Sequence, residues 1–298
     1  GAAGVVVVRL GETRASAPSR TRYVVPHDLT QDTGTPEELE ASVTVSQQVA
    51  EDWIRRSGRT LENVLATIRS GVPLSFDLDI DGRVRGNFVT ETFESANVAA
   101  LLPGSDIDLQ DEVLVLTAHL DHLGTGIPID GDSTYNGTLD NASGSAALLT
   151  LASVLTRMEA PRRSVLFLWV TAEESGLLGS EYFARFPSVL PKRIVANQNI
   201  DGVMGMITAA TDVLAFGYEH SNLSEAVDFA VARTGIPVSP DPTPEENLFI
   251  RSDQYAFVRN AIPAIWVQGG RTSLDPERDA QGELDTWIAK RYHKPTDD

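Results

Sequence analysis

The stretch VLVLTAHLD, Val113 to Asp121, decides the fold. Its first four residues form an unbroken apolar run, as expected of a strand covered on both faces. The run then breaks into a histidine and an aspartate, side chains that enter an interior only with partners. Working outward, the same grammar recurs. Val165 to Val170 passes into TAEESG (171–176), and Ile194 to Ile200 passes into Asp201 and Gly202. Between the first two runs, Ala142 to Met158 has helical spacing in Ala146, Leu149, Leu151, Val154 and Leu155. Further helices are predicted over Leu178 to Phe186 and Leu223 to Arg233, and another buried strand over Ala261 to Val267. Strands alternating with helices predict an α/β fold: a mostly parallel mixed sheet with helices on both faces, over residues 91–298.

Residues 1–90 read differently. They open on GAAGVVVV (1–8) and continue into a polar stretch rich in Ser, Thr, Arg and Pro, from Gly11 to about Glu37. Val43, Val45, Val49, Trp53 and Ile54 suit a short strand followed by a helix face. LSFDLDI (74–80) alternates apolar and polar residues like a half-buried strand, and Asp81-Gly82 reads as a hairpin turn into Val84 to Thr92. This predicts a small, mostly β domain over 1–90 without a cluster of potential ligands, structural or substrate-shaping in role.

Composition narrows the partners. The 298 residues carry 24 Lys plus Arg against 42 Asp plus Glu, a net charge of −18. That excess disfavours nucleic acid and an anionic membrane surface, both of which select basic patches. No apolar run approaches the roughly 18 residues that span a bilayer. With no cysteine, disulfide scaffolds, thiolate zinc sites, iron–sulfur clusters and a thiol nucleophile are excluded. HExxH, P-loop and nucleophile-elbow motifs are absent as well.

Open α/β sheets bind ligands at the carboxyl ends of their strands. All three strand ends read above bring acidic or imidazole groups to that edge, and LDNASG (139–144) adds Asp140 just before the long helix. Singly, each has an ordinary explanation: a surface histidine, an aspartate capping a helix, a glutamate pair opening one. Together, four carboxylates and a histidine on one edge repel unless a cation compensates. Imidazole and carboxylate without thiolate suit zinc, with manganese or cobalt as substitutes. Three carboxylates and two imidazoles exceed one tetrahedral zinc and fit two ions about 3.5–4 Å apart sharing a carboxylate and a water. Two zinc ions would also balance the four negative charges of Asp140, Glu173, Glu174 and Asp201.

AHLDHLG (118–124), TLDNASG (138–144), TAEESGLLGS (171–180), NIDG (199–202) and RYHKPTDD (291–298) together resemble the dizinc aminopeptidase and glutamate carboxypeptidase family, over roughly residues 95–298. The resemblance implies that His119 and Asp201 bind one zinc, that Glu174 and His293 bind the other, and that Asp140 bridges them. It implies Glu173 as general base, taking a proton from the water between the metals and returning it to the leaving amine. Asp121 would accept the second N–H of the His119 imidazole and fix its tautomer. Tyr292 would support the developing oxyanion with its phenol. A cis peptide is expected after the bridging aspartate, at Asp140-Asn141. Because neighbours in an extended chain point opposite ways, Glu173 and Glu174 need an irregular turn, which Gly176 would help to form. Arg251-Ser252-Asp253 resembles a segment supporting the metal site from below, or else caps a helix over Gln254 to Arg259. His122 is expected in the pocket wall rather than as a ligand, and His27 and His220 carry no expected role.

The same resemblance makes GAAGVVVV similar to the second half of a protease-associated domain. The chain is then expected to be a fragment that begins inside that insert and stops before a closing helix. The expected activity is a zinc-dependent exopeptidase acting at the N-terminus of peptides, secreted or periplasmic, its oligomeric state open. The rivals are a carboxypeptidase or dipeptidase of the same family, a single-zinc glutaminyl cyclase, and a scaffold or receptor that has lost the chemistry. Whether Arg251 or Arg271 faces a substrate carboxylate separates the first rival.

Overall fold

The computed structural model describes residues 4–9, 41–78, 80–81, 92–188, 193–202, 209–275 and 277–298. The chain divides into two compact units, Gly1–Thr92 and Phe93–Asp298.

In the first unit, strands β1 (Gly4–Arg9) and β2 (Ala41–Ser46) pair in parallel, from Gly4 opposite Ala41 to Arg9 opposite Ser46. Helix α1 (Gln47–Arg56) starts where β2 ends, its first turn capped by the Ser46 hydroxyl, and it buries Ala50 and Ile54. A second helix, α2 (Leu61–Arg69), was not foreseen from the sequence; Thr60 caps it by accepting the Asn63 N–H at 3.2 Å. The alternating segment 74–80 is not a strand over its described residues. Alternation marks a strand only when another strand supplies the ladder, and Phe76 instead lies under the Arg59 guanidinium, 4.8 Å from its ring centre. The expected partner strand from Val84 and the turn at Gly82 lie outside the described residues.

The second unit is built on a seven-stranded sheet. Its strands are β3 (Val98–Leu102), β4 (Val113–His119), β7 (Ser164–Val170), β8 (Ile194–Asn199), β9 (Val213–Phe216), β10 (Val238–Ser239) and β11 (Ala264–Gly269). The spatial order is β10-β9-β11-β8-β4-β7-β3, parallel except where β3 meets β7 and β9 meets β11. A separate antiparallel hairpin, β5 (Gly124–Ile129) with β6 (Asp132–Tyr135), follows β4. Alternate residues of the central strands feed two cores. On one face Val115, Leu166 and Leu168 meet Phe183 of α4 (Leu178–Arg185) and Phe257 of α6 (Gln254–Arg259). On the other, Leu116, Ala118 and Phe167 meet Leu148 of α3 (Ser143–Leu155). This is the mixed α/β sheet with helices on both faces that the periodicity predicts; α5 (Leu223–Thr234) and α7 (Ala280–Lys290) complete the helices of this unit among the described residues.

Three neighbouring parallel strands set the edge that matters here. His119 ends β4 opposite Val170 of β7, and Thr117 pairs with Asn199 of β8, so the loops after all three emerge together. Asn141 ties those loops to one another. Its amide donates to the Ile200 carbonyl at 3.0 Å, and its side-chain oxygen accepts the N–H groups of Gly144 (3.0 Å) and Gly202 (3.1 Å). The start of α3 comes so near that a Cβ on Gly144 would lie 2.1 Å from the Asn141 oxygen. Replacing Asn141 by leucine strands three buried backbone groups, and the expected loss is about 2–4 kcal/mol. Urea unfolding in the presence of a chelator checks this: the midpoint should fall with the slope unchanged.

Candidate metal centre

His119 is fully buried at the end of β4. Its Nε2 lies 3.2 Å from Asp140 Oδ1 and 3.3 Å from Asp201 Oδ1. On the other side of Asp140, His293 Nε2 lies 3.2 Å from Asp140 Oδ2 and 3.2 Å from Glu174 Oε2. The two trios therefore share one residue, each claiming a different oxygen of the Asp140 carboxylate. Donors bound tetrahedrally to zinc at about 2.0–2.2 Å stand roughly 3.3–3.6 Å apart, so both trios have the spacing and the chemistry to hold such an ion. The Asp140–Asn141 peptide is cis.

Main-chain hydrogen bonds hold these side chains on target. Asp297, in the same segment as His293, is buried, and its carboxylate accepts the N–H groups of Leu139 (3.0 Å) and Asp140 (3.2 Å). The Thr138 N–H adds a bond to the Asp297 carbonyl at 3.1 Å. Ser252 donates its hydroxyl to the outer oxygen of Asp201 and accepts from the Asn199 amide at 2.7 Å. Asn199 in turn accepts from Thr117 at 2.8 Å, which continues the chain beneath the sheet edge. The segment resembling a metal-site support thus touches the site through Ser252, while Asp253 stands at the first position before α6 without capping it.

The strand β7 ends abruptly. Ala172 takes a left-handed conformation (φ 55), Gly176 another (φ 104), and the N–H groups of Gly176 and Leu177 return to the Glu173 carbonyl. Asp121 secures this turn: its carboxylate accepts the N–H of Glu173 at 3.1 Å and lies 3.4 Å from that of Glu174. The expected contact of that carboxylate with His119 is looser, at 3.9 Å, and the Asp121 main-chain oxygen meets His119 Nδ1 instead at 3.1 Å. The carboxylate is drawn away by the two amides of the turn. Tyr292 lies flat on His293, the ring centres 3.9 Å apart, and His293 itself is held at φ 55.

The electrostatics state what the site lacks. Burial, then the charges of Asp253 and Asp201, push the Glu173 carboxyl up. Burial likewise pushes up the buried Asp253. Burial would lower both imidazoles, yet Asp140 with Asp201 outweighs it at His119, and Asp140 with Glu174 outweighs it at His293, raised to about 9. The Tyr292 phenol is raised to about 12, by burial first and then by Asp140 and Glu174. Glu173, Asp253, both imidazoles and Tyr292 thus tend to hold a proton, whereas Asp140 and Glu174, although burial pushes them up, are drawn down by their imidazole neighbours.

The structure brings the eight residues singled out from the sequence into one neighbourhood, together with His122 and with Asn141 and Asp297, to which the sequence assigned no supporting role. Asn141 was named as the far side of the expected cis peptide, and Asp297 was visible only as a letter in a motif. His122, expected in the pocket wall, sits with Nδ1 2.8 Å from Glu174 Oε1. A carboxylate four residues after a ligand histidine carries no pattern of its own; only the return of the chain to the Asp140 loop gives it meaning.

Comparisons with known proteins place these features. The profile described as Peptidase family M28 matches residues 97–298. Leucine aminopeptidase 2 of Trichophyton rubrum is 30% identical over 255 residues, covering 82% of this chain and 46% of that protein. Leucine aminopeptidase 1 of Trichophyton equinum is 27% identical over 215 residues, 69% of this chain and 54% of that one. Among solved structures, BSAP, a zinc aminopeptidase from Bacillus subtilis, aligns at 23% identity and a TM-score of 0.48, over 67% of this chain and 43% of that chain. The chain spans about half the length of the curated relatives it matches. With the profile matching from just before β3 to the last residue, the chain belongs to peptidase family M28.

Proposed function

We propose that this protein is a zinc-dependent exopeptidase that removes residues from the amino end of peptides. The observation that carries the reading is the pair of donor trios sharing Asp140, with a fourth carboxylate, Glu173, outside both and close enough to feel the charges of Asp201, His119 and Glu174. In this reading His119 and Asp201 hold one zinc, Glu174 and His293 the other, and Asp140 serves both. Zinc ions bound there supply Lewis acidity and an acidified water for attack on the peptide carbonyl. Glu173, whose burial and acidic neighbours strengthen its hold on a proton, takes one from the attacking water and returns it to the leaving amine. Asp121 keeps Glu173 in place through its main chain. Tyr292, a phenol that keeps its proton, offers it to the carbonyl oxygen as charge develops there.

The acidic edge favours a substrate ammonium. Arg271 uses one nitrogen on the carbonyls of Gly269 and Gly270, while Arg251 stays half-exposed, 3.9 Å from Glu246, with its charge felt at Tyr292. Blocking one end of a peptide or the other therefore decides between an amino- and a carboxypeptidase. Among the described residues no helix is long and apolar enough to cross a membrane. We assign residues 1–90 to part of a protease-associated domain and the protein to a secreted or periplasmic location, both on the family resemblance.

Dialysed protein should carry about two zinc ions per chain by metal mass spectrometry. Asp140→Ala should lose most of that metal. Glu173→Gln should keep it and lose at least about a hundredfold in kcat; wild-type turnover in this variant would remove Glu173 as the base. Leucyl anilides and unblocked peptides should be cleaved and the same peptides N-acetylated should resist, whereas a carboxypeptidase would show the opposite dependence on the two ends. Asp297→Ala, which frees the main chain of Asp140, should weaken zinc binding roughly tenfold or more in a chelator competition.

A further inference from the structure

His122 stands outside both donor trios and lines a cavity with Leu120, Asp121, Tyr135 and Trp169, as expected of a wall residue. Yet it also faces the candidate centre: a donor atom of its ring lies within 4.8 Å of those of Asp140 and Glu174. Its side chain is 6% exposed, and neither ring nitrogen has a hydrogen bond. Glu174 Oε1 is also buried without one, and Nδ1 faces it at 2.8 Å. The two groups thus face each other at hydrogen-bond distance without the geometry of a formed bond, and a buried pair left so needs a reason. The ring is also fitted from behind. A Cβ on Gly137 (φ 68) would fall 2.5 Å from the His122 ring, so only glycine at this turn leaves the imidazole its place.

We propose that His122 is a positioning residue for Glu174. Its Nδ1–H serves the outer oxygen, Oε1, and so turns the inner oxygen, Oε2, towards His293 and Asp140. The proposal rests on the two-zinc reading above, and the chemistry of that site argues against His122 as a ligand. The second position already has three protein donors, His293, Glu174 and Asp140, and a catalytic zinc must keep a coordination place open. A carboxylate held at one oxygen binds through the other alone, which preserves that place. Carboxylates that bind metals are in turn held by hydrogen bonds.

Three proteins decide the matter: wild type, His122→Leu, and His122→Asn, whose amide nitrogen stands near the place of Nδ1. Zinc stoichiometry and affinity are measured by competition with a colorimetric chelator, alongside unfolding of the metal-free proteins. Wild type should bind two zinc ions. Leucine should weaken one of them about 10–100-fold and leave the other, and asparagine should restore affinity to within a few-fold of wild type. Equal affinity in all three proteins would make His122 mere packing and overturn the proposal. Equal loss in both variants, with metal-free stability unchanged, would overturn it in favour of direct ligation. If wild type itself binds fewer than two zinc ions, the two-zinc reading falls and takes the proposal with it; loss confined to the leucine variant leaves that reading intact.

Discussion

Repulsion between carboxylates at the carboxyl ends of three adjacent strands is the constraint on which the second unit turns. Asp121, Asp140, Glu173, Glu174, Asp201 and Asp253 gather around His119 and its neighbours, most of them at least half-buried. Two unit charges 4 Å apart interact by about 4 kcal/mol at an effective dielectric near 20. The imidazoles of His119, His122 and His293 relieve part of this at Asp140 and Glu174. Asn141, Asp297 and Ser252 fix the acidic loops in place, and no lysine or arginine pairs with these six groups among the described residues. Holding these negative charges together costs the fold stability.

The sheet topology is what makes the gathering possible. Parallel strands leave in the same direction, so the loops after β7, β4 and β8 share one edge without any strand having to bend. Beneath them Asn197, Thr117 and Asn199 hydrogen-bond across the buried strands. This polar chain crosses what would otherwise be apolar core, and its last members, Asn199 and Ser252, reach Asp201. A core position given to a polar side chain is warranted where its hydrogen bonds end on a group that must not move, as they do at Asp201, although Asn197 Oδ1 at the far end of this polar chain has no partner among the described residues.

Much of this was legible because two of the strands that matter are buried on both faces. VLVL and Val165 to Val170 have almost no solvent side to dilute the signal, and polarity begins near their ends, whereas β8 has an exposed Val195 and turns polar from Asn197 within the strand. The five candidate ligands were found as strand-end residues or motif members, and the structure brings all five together. What escaped depends on tertiary return. The short strands β9 and β10 exist through their neighbours, β11 and β9 respectively. The β5–β6 hairpin is exposed along all of β5, so no apolar period announces it. LSFDLDI has the period of a strand without a described strand to pair with. Asp297 and Asn141 act on main-chain groups that any sequence would present.

The adjacent glutamates show how far position decides chemistry. Glu173 and Glu174 start with the same acidity, and in an extended strand they would point to opposite faces. The turn at Ala172 and the grip of Asp121 on the amides bring both to one site, but with different company. For Glu174, burial pushes the carboxyl up, yet His122 and then His293 outweigh it, and the group is held below the ordinary range as an anion. Glu173 meets burial with carboxylates for neighbours and is pushed the other way. One residue of chain separates a group suited to binding a cation from one suited to carrying a proton. That division needs no difference between the side chains, only imidazoles on one side of the turn and acids on the other.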